Sequence, residues 1–225
     1  MVLVANSPLT TLYRARLAGM RAALLMRIAA GWGRVFDPAA PIPTLQILGH
    51  GVGVWTVAAQ QLAAAEAVGY LTALIAQASG QPLLTVTPFA IPSGLIGTSA
   101  AGGTVSELTE MAPAVYLARL NAGWASELAS QSALAWLNRV AASEPSRAAN
   151  TTVMRATVDD DRFTGRYRRI TRPDACEWCK FIADRGYIEA RAGFDAHTHC
   201  ACDPEPEPSL RVYSRRARQR ARRAT

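Results

Sequence analysis

The sequence predicts a mostly α-helical N-terminal region with long helices and an extended arm, followed by a small α+β Cys/His C-terminal module. Three observations predict it. Apolar residues recur at helical spacing over much of residues 7–160, interrupted by one Pro/Gly-rich stretch. All four cysteines and two of the three histidines fall between Cys176 and Cys202. The last seventeen residues then carry seven arginines and no acid.

The first helix is expected over Ser7–Phe36, with Leu17, Met20, Leu24, Ile28 and Val35 on one stripe and arginines at its borders. Asp37-Pro-Ala-Ala-Pro-Ile-Pro43 stops it, because proline lacks a donor and restrains the residue before it. A second helix is expected from His50 to Ala76, where Glu66 is the one charged residue. The glutamate, two glutamines and three glycines there speak against a membrane span and for a buried or oligomer-facing helix. Residues 80–104 form the loop or arm, with a short β-like run at Leu84–Thr87. Thr104 and Glu107 have the spacing of a capping box, and Pro113 suits a first turn. A long helix to about Ala142 should carry Leu117, Leu120, Trp124, Leu128, Leu134 and Leu137 inward, with a further helix over Arg147–Asp160. Beyond it, strands are expected at Arg168–Thr171 and Tyr187–Ala190. Pro204-Glu-Pro-Glu-Pro208 reads as a stiff spacer that holds the tail away from the body.

The densest chemistry is Cys176-Glu-Trp-Cys179 followed by His197-Thr-His-Cys200-Ala-Cys202. Thiolates and imidazoles at this spacing can close a tetrahedral zinc site, which would staple a module too small to fold by apolar burial. Cys176, Cys179 and Cys200 are the first candidates, with His197 or Cys202 as the fourth ligand. Two disulfides or ordinary buried thiols are the alternatives. No secretory segment precedes the module, so synthesis in a reducing cytosol is expected, which disfavours disulfides. A catalytic zinc would need an open position and a base, for which Glu177, Glu189 and Asp195 are the nearest carboxylates. There is no HExxH, and His50 has no nucleophile-elbow partner, so no catalytic residue is assigned.

From Asp161 to Pro208 the chain runs Arg166-Tyr-Arg-Arg169-Ile, the CxxC turn, Arg185-Gly-Tyr-Ile, then Phe194-Asp-Ala-His197-Thr-His-Cys200-Ala-Cys202 with Pro204. This resembles the C-terminal module of the Mu F-like minor head proteins of tailed bacteriophages, particularly those of actinobacteria. The family pattern is met at Cys176, Cys179, Gly186, His197, Cys200, Cys202 and Pro204, over about a fifth of the chain. The resemblance implies a virion component rather than an enzyme: a minor protein inside the head near the portal, made in the host cytoplasm, that supports assembly, packaging or ejection. Its implied partners are the portal and major capsid proteins, with self-association possible. The expected organisation is a portal- or capsid-contacting helical region at 1–160, the Cys/His module at 161–208 and an Arg-rich tail at 209–225.

Net charge supports a second role. The whole chain is at +7, and the tail alone holds Arg211, Arg215, Arg216, Arg218, Arg220, Arg222 and Arg223. These could bind packaged DNA through its phosphates without reading bases. Two other functions stay open at this point: a non-specific DNA-binding zinc-module protein, and a head maturation protease or metal hydrolase.

Overall fold

A computed structural model describes residues 7–195 and 202–209. In chain order these form α1 (Pro8–Val35), α2 (Pro41–Ser79), α3 (Val105–Thr109), α4 (Ala112–Asn121), α5 (Ser126–Asp159), β1 (Phe163–Ile170), α6 (Glu177–Asp184), β2 (Tyr187–Glu189) and β3 (Asp203–Pro208). The fold is mostly helical, with one small antiparallel sheet ordered β2-β1-β3. Two compact units divide it. One comprises residues 16–63 and 93–148; the other gathers the described parts of 1–15, 64–92 and 149–225.

In the first unit, Leu24 and Ile28 of α1 meet Leu45, Leu48 and Val52 of α2 and Ala133, Leu137 and Ala141 of α5 in one core. The α1 stripe therefore packs as its spacing predicts. α2 begins at Pro41, earlier than expected, because a first turn has no intrahelical use for the N–H that Pro43 lacks. The helix glycines have a packing role. A Cβ at Gly49 would lie 2.6 Å from the Thr109 carbonyl oxygen, and one at Gly53 would lie 2.8 Å from the Thr109 hydroxyl. Only glycine lets α3 approach α2 this closely. By length and composition α2 could cross a membrane, yet half of its most apolar window is buried inside the protein.

The capping box forms as predicted: Thr104 accepts from the Glu107 N–H at 3.1 Å, and the Glu107 carboxylate accepts from the Thr104 N–H at 2.6 Å. The long helix expected after it is instead broken. Trp124 N–H bonds to the Arg119 carbonyl and Gly123 N–H to the Leu120 carbonyl, with Gly123 at φ +84°. This Schellman closure ends α4. The break turns Leu117, Trp124 and Leu128 to solvent rather than inward, and Trp124 lies under the Arg119 guanidinium at 4.7 Å. Leu137 is fully buried, and Trp136 donates to the Leu108 carbonyl at 2.8 Å. α5 then runs through Pro145 to Asp159, joining what the sequence suggests are two helices.

The segment after α2 is a pinned loop, not an extended arm. Within the first unit, Gln60 is fully buried, donates to the Thr98 carbonyl and the Glu144 carboxylate, and accepts from the Gly97 N–H. Glu144 also accepts from the Ala100 N–H and from Arg147 at 2.7 Å. Leu95 and Ser99 are buried, and Thr98 bridges to Thr104. In the second unit the same segment buries Val86 and Phe89, the latter against Phe163 at 5.5 Å. Its β-like run is a 3-10 turn at Leu83–Thr85 rather than a strand.

The proline-rich run is a correction of the same kind. It forms β3, a mostly buried edge strand paired with β1. Prolines at 204, 206 and 208 share one parity, so every missing N–H falls on the side away from β1. The opposite parity faces the partner: Ser209 N–H bonds to the Arg162 carbonyl at 2.8 Å. Three prolines also make this edge unable to accept a further strand.

Candidate metal centre

β1 determines what lies on each face of the sheet. Its register sets Arg168 opposite Glu205 and Tyr187, and Arg169 opposite Pro204. Neighbouring strand residues point to opposite faces, so the two adjacent arginines separate.

On the Arg168 face lies a buried polar cluster. The Arg168 Nε donates to Glu205 at 2.7 Å and its Nη2 makes a second bond to the same oxygen. Thr10 of α1 donates to the other Glu205 oxygen. Since the Thr10 proton is committed there, the Tyr70 hydroxyl of α2 donates to Thr10 at 3.0 Å. Arg14 pairs with Asp203 at 2.9 Å, and Tyr13 stacks on Tyr70 with centroids 4.3 Å apart. Burial first, then the nearby carboxylates, raises the Tyr70 and Tyr13 pKa values, which keeps both phenols protonated. Sequence reasoning missed this cluster. Its signal was the period-two acids of Asp-Pro-Glu-Pro-Glu-Pro set against the arginines of β1.

The Arg169 face carries the cysteines. Cys176 is the N-cap residue of α6 and Cys179 lies in its first turn, so the CxxC spacing puts both on one side of the helix start. Cys202 immediately precedes β3, and its carbonyl accepts from Asn150 at 3.3 Å. Ala175, Cys179 and Cys202 form one buried cluster, with Cys176 and Phe194 packed against it. Three of the five predicted metal ligands are therefore brought together. His197 and Cys200 lie outside the described residues, as do all seven tail arginines. Among the described residues, no three His, Cys, Asp or Glu side chains alone are arranged to hold a metal. A centre would need a donor from the remaining candidates.

Arg169 was not among the predicted site residues. It is 4% exposed, and its Nη1 approaches the Cys179 sulfur at 3.8 Å while Nη2 donates to the Asp195 carbonyl at 2.8 Å. Its guanidinium lies 4.4 Å from the Phe194 ring centroid and 5.1 Å from that of Trp178. Tyr167, on the same face, donates to the Gly193 carbonyl at 2.8 Å; burial raises its pKa, partly offset by Arg169. Two of the three carboxylates considered for catalysis pair elsewhere. Glu177 pairs with Lys180 at 2.9 Å, which raises the lysine pKa, and Glu189 approaches Arg166 at 3.8 Å. His50 and Glu110 are 3.6 Å apart in the other unit, both exposed.

The described soft donors, half-buried Cys176 with buried Cys179 and Cys202, do not by themselves make a metal site; they are the described residues that would contribute to one, and an ion bound there would supply folding free energy.

No curated protein and no solved structure matches the chain. The family model for VG15 protein matches residues 106–219, just over half of the 225 residues, from α3 through the cysteine cluster and β3. The chain thus belongs to the VG15 protein family, a family of viral proteins.

Proposed function

We propose that this protein is a minor structural component of a tailed-phage head, of Mu F-like type, that lies inside the capsid near the portal and supports head assembly, DNA packaging or ejection. Membership of a viral family across residues 106–219 carries this reading. The residue-level resemblance of the Cys/His module to Mu F-like proteins supplies its finer part. The module has a structural task rather than turnover: an ion bound by its thiolates fixes the small sheet and α6, and the portal and major capsid protein bind elsewhere on the chain.

Peptide mass spectrometry of purified particles and of DNA-free heads tests the location. The chain should be found in both at low copy number and should co-purify with the portal when the two are co-expressed. Absence from heads, together with no portal retention, overturns the assignment. Protein made under reducing conditions should carry about one zinc per chain, and chelation should loosen the sheet and α6 while sparing α1, α2 and α5. Metal analysis that finds none removes the staple but leaves the head assignment standing.

A second role is favoured by the seven arginines of residues 209–225, which have no acid among them. If all seven meet phosphates, log K against log salt has a slope of about −6. Deleting residues 209–225 should abolish salt-sensitive retention on DNA; unchanged retention excludes the tail as the contact.

A further inference from the structure

Within the first unit, the turn at Gly123 folds α4 back beside α5, and a cleft of about 340 Å³ opens between them. Most of its surface is apolar, from Val115, Ala118 and Trp136; Ser132 and the exposed Arg119 and Arg139 complete it. Its parts are held before anything binds. Trp136 is fixed by its bond to the Leu108 carbonyl at 2.8 Å. The Arg119 Nε donates to the Ser132 hydroxyl at 3.1 Å, and the closing turn of α4 sets Trp124 under the same guanidinium at 4.7 Å. The two Nη nitrogens of Arg119 are therefore an oriented, planar pair of donors. Residues 111–126 and 128–143 contain Arg119 and Arg139 and no acid, and neither arginine has a carboxylate partner among the described residues. Leu128, one turn before Ser132 on α5, is 51% exposed and extends the apolar surface.

Tryptophan, leucine and arginine held in this way are the residues that carry binding energy at protein interfaces. Charge and shape select the occupant. Two cations are too few for a nucleic acid: if each met one phosphate, log K against log salt would have a slope of only about −2. A phosphodiester chain would also leave the apolar walls uncovered. A peptide carboxylate takes the Arg119 fork bidentately, while an apolar side chain next to it covers Val115, Ala118 and Trp136. We propose that the α4–α5 cleft is a docking site for an acidic segment of a partner protein in which a carboxylate neighbours an apolar side chain. Arg119 and Arg139 bind the carboxylate, and Trp136 is the apolar contact. The assignment goes beyond the head reading and does not rest on it or on a bound metal.

The experiment applies the full chain to an array of short synthetic peptides that combine glutamate, glutamine, leucine, phenylalanine and serine in every order. Salt of about 0.3 M screens contacts to the exposed charges of the tail. Binding should concentrate on peptides with glutamate beside leucine or phenylalanine and should be lost when glutamine replaces the glutamate. Fluorescence anisotropy of the strongest binder then gives affinities. Arg119→Met and Arg139→Met should each weaken it by about 10-fold or more, the usual loss of a charge-assisted pair. Arg119→Lys keeps the charge without the fork and should fall between. Ala118→Phe fills the cleft without changing charge and should weaken binding at least as much. Arg34→Met, at an exposed position of α1 in the same unit, should match wild type. An array with no preference for glutamate overturns the proposal, as does an affinity unchanged in Ala118→Phe or in both arginine variants. Affinity for a single-stranded DNA oligonucleotide should be the same in wild type and in Arg119→Met with Arg139→Met. A fall for DNA without one for the peptide gives the cleft to nucleic acid and also overturns the proposal.

Discussion

Glu205→Ala is the most informative single change outside the cysteine cluster. Glu205 is 4% exposed and accepts two N–H bonds from Arg168 and one O–H bond from Thr10. The paired side chains are 13% and 5% exposed, so solvent screening discounts the interaction little. Truncation leaves the Arg168 guanidinium buried without its anion and Thr10 and Tyr70 without the acceptor that orders them. Summing three bonds to a charged group at about 1.5–3 kcal/mol each would overcount, because they share one carboxylate. The cost of breaking a buried pair, about 3–5 kcal/mol, is the better guide. With a urea m-value of about 2 kcal/mol/M, the midpoint should fall by about 2 M. Amide exchange at β1 and β3 gives the local readout that a chain with two compact units requires. Replacing both partners, Arg168→Met with Glu205→Leu, removes the stranded charge and should recover most of the loss. A single-variant loss under about 1 kcal/mol, or a double variant no better than Glu205→Ala, would refute the assignment of Glu205 as the anchor of this face.

Three other outcomes are expected. Glu144→Ala removes acceptors from Gln60, Ala100 and Arg147, so amides of residues 97–100 should exchange faster while those of β1 do not, with a stability loss of about 3 kcal/mol by urea denaturation. Gly53→Ala places a methyl 2.8 Å from the Thr109 hydroxyl and 3.3 Å from the Ser106 Cα, which should displace α3 and cost about 1–3 kcal/mol in thermal or urea unfolding. The capping-box hydrogen bonds hold the Glu107 carboxyl below its usual pKa, so its contribution is present above the unfolded carboxylate range and is lost as pH falls through the folded value. Comparing wild type with Glu107→Gln across about pH 3–7 should show the pH-dependent part disappear in the variant.

Elements with strong local signals were legible in the sequence. The stripe of α1, the stop at Asp37-Pro38 and the Thr104–Glu107 capping box each depend on residues close in the chain. The break at Gly123 was not, because alanine and leucine on both sides continue the helical pattern and a single Asn-Ala-Gly closure carries little compositional weight. The pinned loop was illegible for another reason. Gln60 reads as a polar interruption of a helix and Glu144 falls between two expected helices, and only the structure brings them against the carbonyls and amides of residues 97–100. β3 failed on composition: three prolines argue against a strand unless their parity is matched to an edge position. At the cysteine cluster the grouping of Cys176, Cys179 and Cys202 follows from their nearness in the sequence, whereas the placement of Arg169 against Cys179 required the register of β1.

The sheet has strands of eight, three and six residues, and its faces hold charge and sulfur where larger proteins hold leucine. Apolar burial at Phe163, Tyr167 and Ile170 contributes to holding these strands, but so small a sheet needs more. On one face the substitute is a set of matched pairs, Arg168 with Glu205 and Arg14 with Asp203, which tie β1 and β3 to the start of α1 within one unit. Such pairs specify partners sharply but add little net stability once desolvation is counted. On the other face the cysteine cluster packs with Phe194, and an ion bound by those thiolates would add stabilising free energy there. This division makes a separable expectation. Chelation should weaken the sheet far more than Arg168→Met with Glu205→Leu does, and a sheet that tolerates chelation but not that double replacement would assign the stabilising role to the polar face instead.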